Sequence, residues 1–348
     1  MKDVRLRLAF GGLHPDRLRD LTAAHGAAGA LRRLLAGEVN TTERVRTAVR
    51  VSAEERREQL ARAGTEVLYN GDSGFPAALA ALPDAPDVLF LRGAIPPLPG
   101  VAVVGARRCT SYGRRVAEGY GRAIAAAGWT VISGLARGID GAAHRGTVGC
   151  SGGAIAVLGS GIDVMYPREH RDLALEIIET GGAIISEYPP GTPPEGWRFP
   201  PRNRVISGLA DAVVVVEATV KGGALITAEA ALSQGRQVFA VPGDVGRPTS
   251  EGCNLLIRDG AFPTLDPADL VESLELVMGP RPAKVTSARE ESLDAADRQL
   301  VELIAAGKCQ TDELLAAIDA TAQEGLVRLG SLEMRGVIKS DGPGRYAV

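Results

Sequence analysis

Residues 101–134 read VAVVGARRCTSYGRRVAEGYGRAIAAAGWTVISG. A short run of Val and Ala ends in Gly, a polar loop follows, then a stretch with apolar residues at helical spacing, then a second β-branched run ending in Gly. Strand, loop, helix, strand is the unit of a parallel sheet, because parallel neighbours need a crossover and the crossover is usually a helix. The strand runs do not alternate polar with apolar, so both faces of such a sheet must be covered.

The unit recurs downstream. TVISG (130–134), GAIAVLG (153–159), GAIISE (182–187), DAVVVVEA (211–218) and QVFAVPG (237–243) are further apolar runs. Between the runs lie helical stretches such as EHRDLALEIIETG (169–181) and ALITAEAALSQG (224–235). Six strands with helices on both sides predict a doubly wound, Rossmann-like parallel sheet, an α/β fold spanning 67–278 in its extended form.

Outside this region the pattern changes. Residues 1–66 carry 13 basic and 9 acidic groups and read as helices: LRDLTAAHGAAGALRRLLAG (18–37) has Pro15 near its start and Gly37 at its stop, and a second helix is expected after Ser52 as N-cap. This predicts a small N-terminal helical domain over 1–66. Residues 279–292 (GPRPAKVTSAREES) read as a linker. Residues 293–348 give three helices and then VIKSDGPGRYAV, a hairpin with a Gly-Pro-Gly tip, which is the order of a winged helix. The segment 290–348 has 6 basic and 11 acidic groups, so the net charge of −3 over 348 residues hides a basic start and an acidic end.

Composition excludes several classes. With 45% hydrophobic and 23% charged residues the chain is neither disordered nor fibrous. The four Cys (109, 150, 253, 309) form no CxxC pair and the four His (14, 25, 144, 170) no ligand cluster, so neither a metal site nor a disulfide framework is expected. No apolar run reaches the ~18 residues of a membrane span and the N-terminus lacks a signal-peptide core, which points to a cytoplasmic protein with no membrane partner. No GxxxxGK[ST] is present, arguing against a nucleotide-driven motor, and no nucleophile–base relay stands out. Neither catalytic residues nor a cofactor is therefore expected.

In an open parallel sheet ligands bind beyond the C-terminal strand ends, so the loops there carry the functional reading. GARRCTSYG (105–113) offers Arg107, Arg108, Arg114 and Arg115 with Ser111 at the next helix start, an arrangement suited to an anion. SGLARGIDGAAH (133–144) adds Arg137, with Asp140 expected to cap the following helix and His144 expected to be packed. GSGIDVMYPREH (159–170) adds Tyr166 and Arg168, and SEYPPGTPPEGWRFPPRNR (186–204) adds Tyr188, Trp197, Phe199, Arg202, Asn203 and Arg204. Only 4% of the chain is aromatic, yet Tyr112, Tyr166, Tyr188, Trp197 and Phe199 fall in or beside these loops among arginines. Cations interleaved with planar rings suit single-stranded nucleic acid, with stacking at roughly 1–3 kcal/mol per base.

Those four loops, with EATVKGGALITAEAAL (217–232), FAVPGDVGRPTSEGCNLLIRDGA (239–261) and the lead-in GFPAALAALPDAPDVLFLRG (74–93), resemble the DNA processing protein A family, DprA or Smf. The N-terminal helices are compatible with the sterile-alpha-motif-like domain of some members, and the C-terminal module resembles the winged helix of others. The resemblance implies a non-enzymatic protein that binds single-stranded DNA in natural transformation, protects it and helps load the recombinase RecA, acting as a homodimer through the Rossmann domain. It carries phosphate binding to Arg107, Arg168, Arg202 and Arg204, and more weakly to Arg137 and Lys221. His170 and the stretch KGGA (221–224) depart from the family pattern. The acidic winged helix offers only Arg328 and Arg335 on its third helix, which predicts contact with protein rather than a grip on duplex DNA. The alternative is an enzyme resembling the Rossmann-like nucleotide phosphoribohydrolases, whose PGGxGTxxE signature is partly matched by KGGALITAE with Glu229.

Overall fold

The structure, a computed structural model, describes residues 1–96, 99–150, 153–279, 294–305, 310–318, 321–334, 337–340 and 344–347. Residues 1–283 form one compact unit and 284–348 a second. The expected linker beyond Gly279, Arg335 and the first two residues of the Gly-Pro-Gly tip lie outside the described residues.

Four helices open the chain: α1 (Lys2–Phe10), α2 (Pro15–Ala36), α3 (Glu43–Arg50) and α4 (Ala53–Arg62). Helix α2 starts with Pro at its first turn and stops at Gly37, whose φ of 77° is the left-handed conformation that glycine adopts without penalty. Ser52 caps α4, its side chain accepting from the Glu55 N–H at 3.2 Å, as the sequence predicts. Helices α1 and α3 were not expected. Helix α1 has Val4, Leu6, Leu8 and Phe10 at period two, a pattern without helical spacing, because it is wedged between two cores. Leu6 and Phe10, one turn apart, pack with the sheet, while Leu8 joins Leu31, Leu34 and Val49 among the helices.

Next come β1 (Glu66–Tyr69), α5 (Ala77–Ala80), β2 (Val88–Gly93), β3 (Gly100–Val104), α6 (Ser111–Ala126), β4 (Thr130–Ser133), α7 (Ile139–Gly146), β5 (Ala154–Leu158), α8 (Arg171–Glu179) and β6 (Ala183–Ser186). Then follow α9 (Phe199–Leu209), β7 (Ala212–Val215), α10 (Gly223–Ser233), β8 (Gln237–Ala240), α11 (Pro248–Arg258), β9 (Phe262–Pro263) and α12 (Pro267–Met278). One nine-stranded sheet results, in the order β1-β2-β6-β5-β4-β3-β7-β8-β9. The six expected strands are β3 to β8, all parallel, with Val101 level with Val131 on one side and with Ala212 on the other. Strands β1 and β2 add an antiparallel edge beside β6 that the sequence did not announce.

Alternate strand residues face opposite layers. Ala102, Val104, Val213 and Val215 pack under α9 and α10, whereas Val101, Val103, Ala212 and Val214 pack under α6, α7 and α12. Burying such a Val or Ile fully is worth about 1.5–3 kcal/mol, so the double layer explains why the runs carry no polar alternation. Helices α6 and α7 approach so closely that a Cβ on Gly121 would overlap the Ala143 carbonyl, which makes glycine obligatory there.

The second unit contains α13 (Ala295–Ala305), α14 (Thr311–Ala316), α15 (Ala322–Met334), β10 (Lys339–Ser340) and β11 (Tyr346–Ala347), the last two antiparallel. Leu300, Ile304, Leu314, Leu329, Leu332 and Ile338 form its core. Thr321 and Glu324 cap α15 reciprocally, at 2.9 and 3.3 Å.

Candidate nucleic-acid interface

Strand order reverses between β3 and β7, the two strands entered from opposite halves of the chain, and at such a switch point the loops part to leave a crevice. Here it has a volume of about 470 Å³ and is lined by the loop after β3 (Gly105 to Arg108), by Asp140 from α7, by Phe199, Arg202 and Asn203 from α9, and by the Thr219–Thr227 turn into α10.

Its walls are tied together by Glu217, at the end of β7. The Glu217 carboxylate accepts from the Thr110 N–H at 2.8 Å and from the Thr110 hydroxyl at 2.5 Å, while its carbonyl accepts from the Ala106 N–H at 2.7 Å. The Thr110 hydroxyl in turn accepts from the Gly113 N–H at 3.0 Å and caps α6. In the sequence Glu217 stands out only as the first residue of EATVKGGALITAEAAL (217–232); the signal for its role is an acid at a strand end facing a loop rich in N–H donors and lacking acids.

On the rim, the Arg107 guanidinium lies over the Phe199 ring, 4.5 Å from its centroid, and Tyr166 packs on the same ring at 5.7 Å. Tyr166 is 37% exposed, and Arg107, Arg108, Ser111, Arg168 and Lys221 are exposed. Among the described residues none of these cations has an acid within ion-pair distance. Arg137 is exposed too, but it forks onto Glu169 at 2.5 and 2.8 Å, which lowers the Glu169 pKa and raises its own. Asn203 donates to the Gly223 carbonyl at 3.2 Å and fixes the start of α10 against α9.

Two expected phosphate ligands are instead committed to the protein. Arg202 is 4% exposed and donates to the carbonyls of Gly134, at 3.0 Å, and Val157. Burial pushes its pKa down to about 10, against the opposing effect of the Asp140 carboxylate. Arg202 thus forms the crevice floor. Arg204 forks onto Glu187 at 2.9 and 2.8 Å and reaches Asp84 at 3.4 Å.

Asp140 also departs from expectation. Gly138, not Asp140, occupies the N-cap of α7, and the Asp140 carboxylate accepts from the Gly134 N–H at 3.2 Å, fixing the loop after β4. Burial raises its pKa and Arg202 works against that rise.

The aromatic set divides. Phe199 and Tyr166 stand at the crevice, and Tyr112 is 47% exposed on α6. Tyr188 is buried, and Trp197 stacks on His14 of the N-terminal segment at 5.4 Å. Glu229 is exposed on α10 and does not line the crevice. His170 is held on both nitrogens, at 2.9 Å from the Leu135 carbonyl and 3.2 Å from Arg145; since Arg only donates, Nδ1 carries the proton.

His144 is fully buried on α7, and burial, helped by nearby His170, pushes its pKa down to about 3. The unfolded chain takes up a proton there below about pH 6.5, while the folded chain resists until about 3. Stability is therefore complete above pH 6.5 and declines on acidification at up to about 1.4 kcal/mol per pH unit from this group. Urea denaturation between pH 7 and 4 checks this: His144→Leu is expected to flatten the decline, and an unchanged slope refutes the assignment.

No helix among the described residues is long and apolar enough to cross a membrane, and no group of three or more His, Cys, Asp and Glu among them could hold a metal ion. Residues 66–275 match the family model described as DNA recombination-mediator protein A. Protein Smf of Escherichia coli K12 is 44% identical over 239 residues, covering 68% of this chain and 63% of that protein, so the chain spans less than two thirds of that relative. The X-ray structure of DNA processing protein A from Streptococcus pneumoniae superposes with a TM-score of 0.62 at 30% identity, over 76% of this chain and 95% of that one. DNA processing protein A from Helicobacter pylori, in a structure reported for its single-stranded DNA binding mode, superposes with a TM-score of 0.54 at 26% identity, over 60% of this chain and 95% of that one. With a family match over more than half its length, carried by the sheet and the loops that form the crevice, the chain belongs to the DNA recombination-mediator protein A family.

Proposed function

We propose that the crevice rim binds single-stranded DNA without catalysing a reaction on it. The observation that carries this reading is the Arg107–Phe199–Tyr166 group: a cation with no acid partner among the described residues, stacked on a ring that has a second ring beside it. Arg108, Arg168 and Lys221 extend the positive rim, Ser111 adds a hydroxyl, and Arg137 becomes available by exchanging Glu169 for a phosphate, since solvent screens an exposed ion pair and leaves it weak. A strand laid along this rim would place phosphates on the guanidinium groups and bases against the rings. The Helicobacter pylori relative's single-stranded DNA binding supports the reading. The family description as a recombination mediator supports a role in recombination; we extend it to natural transformation, in which the protein shields the strand and helps RecA load onto it, as a homodimer through the Rossmann domain, in the cytoplasm.

The test is a binding isotherm against oligo-dT and a duplex of equal length over a range of salt. Single-strand preference is expected, with a log–log salt slope of about −0.7 per phosphate contacted. Equal, salt-insensitive affinity for both forms refutes the proposal.

Residues 1–66 stand in this proposal as the sterile-alpha-motif-like domain, 67–278 as the DNA-binding domain and 293–348 as the winged-helix domain. The last contacts protein rather than duplex: Arg328 is held by Asp294 at 2.6 Å and Asp297 at 2.7 Å, leaving α15 little free positive charge. Deleting 285–348 is expected to leave oligo-dT affinity within about twofold, and a collapse of binding contradicts it. The phosphoribohydrolase alternative would need its carboxylate in the crevice, and the carboxylate that lines it is Asp140, facing Arg202, not Glu229.

A further inference from the structure

A second cavity, of about 670 Å³, lies between the N-terminal helices and the segment 192–198, and it shares no lining residue with the crevice. Arg17, Arg44 and Arg198 line it, with Glu195 the one acid in the lining among the described residues, and Phe10 and Trp197 give it an apolar wall. Glu195 is already engaged, accepting from Trp197 Nε1 at 2.6 Å and from Arg198 Nη2 at 3.2 Å. Arg198 is 5% exposed and lies over the Trp197 ring at 4.2 Å, yet its Nε and Nη1 reach no acceptor among the described residues. Burial lowers the Arg198 pKa and the Arg44 guanidinium adds to that effect. Glu195 pairs with one nitrogen of Arg198 only, so the lining keeps more guanidinium than carboxylate and favours an anion.

We infer that this cavity is a separate binding site for a phosphate monoester of nucleotide size, its phosphate held by the exposed Arg17 and Arg44 in front of the buried Arg198. Three guanidinium groups less one carboxylate leave a formal excess of two positive charges, which matches the near −2 charge of a phosphate monoester. The volume falls among small-molecule sites, about 300–1,000 Å³, and leaves room for a body beyond the phosphate against Trp197 and Phe10. A free nucleotide and the 5′-terminal nucleotide of a DNA strand share this chemistry.

Calorimetric titration of the full chain with dTMP and with thymidine tests the inference. One dTMP is expected to bind per chain, at least about tenfold more tightly than thymidine, because the charge-assisted bonds go to the phosphate. Arg44→Gln and Arg17→Gln, both at exposed positions, are each expected to weaken dTMP about tenfold while the melting temperature stays unchanged, and Arg107→Ala is expected to leave dTMP binding intact. Equal binding of thymidine, indifference to Arg44→Gln, or loss of dTMP in Arg107→Ala overturns the inference without touching the crevice proposal. In the Arg107→Ala background, displacement of dTMP by 5′-phosphorylated oligo-dT but not by its 5′-hydroxyl counterpart supports the strand terminus as the source. Displacement by neither supports a free nucleotide, and equal displacement by both refutes a monoester site.

Discussion

Arg107→Ala is expected to weaken oligo-dT binding by about ten- to a hundredfold at low salt, because one charge-assisted phosphate contact is worth about 1.5–3 kcal/mol. The salt slope should flatten by about 0.7, the share of one phosphate. The two readouts separate roles. If Arg107 merely supported the Phe199 ring, affinity would fall while the slope stayed the same; Phe199→Leu is the companion variant, expected to lose stacking and keep the slope. An Arg107→Ala protein that binds as the wild type does removes the group on which the crevice reading rests.

Arg202→Ala is expected to be the most destabilising single change in the crevice, at about 3–5 kcal/mol, since it strands the buried Asp140 carboxylate and two strand-end carbonyls. Denaturant unfolding measures it. The double variant Arg202→Met with Asp140→Leu should recover much of the loss, because an apolar pair of similar volume needs no compensating charge. If Arg202 were instead a surface phosphate ligand, its removal would cost less than about 1 kcal/mol and act on DNA affinity alone.

Much of the fold was legible because its strands are buried on both faces and its helices on one. Apolar runs of four or five residues separated by helical stretches fix a parallel sheet, and the rule that ligands sit at strand ends then brings four distant loops together. Strand β1 escaped because Glu66–Tyr69 is half-exposed, so its pattern differs little from a loop, and β2 because, antiparallel to both neighbours, it lies outside the strand–helix–strand repeat.

The site was legible as a neighbourhood and not residue by residue. Which arginine is free depends on acids and carbonyls far along the chain: Arg204 meets Asp84 and Glu187, and Arg202 meets Gly134 and Val157. One of these two placements is readable from the sequence. Arg202 precedes Val205, Ile206 and Leu209 at helical spacing, on the face of α9 that packs on the sheet, so helix geometry alone turns it inward. The partition of the aromatics is not, because Trp197 meets His14 across more than 180 residues of sequence.

The brace between β7 and the loop after β3 also bears on kinetics. With Glu217 holding Ala106 and Thr110 in place, the loop that carries Arg107 is already set, so on the proposed reading the capture of a strand requires no rearrangement of that loop. Encounter should then proceed at a rate governed by charge and diffusion, and differences between strands of different sequence should emerge in how long they stay.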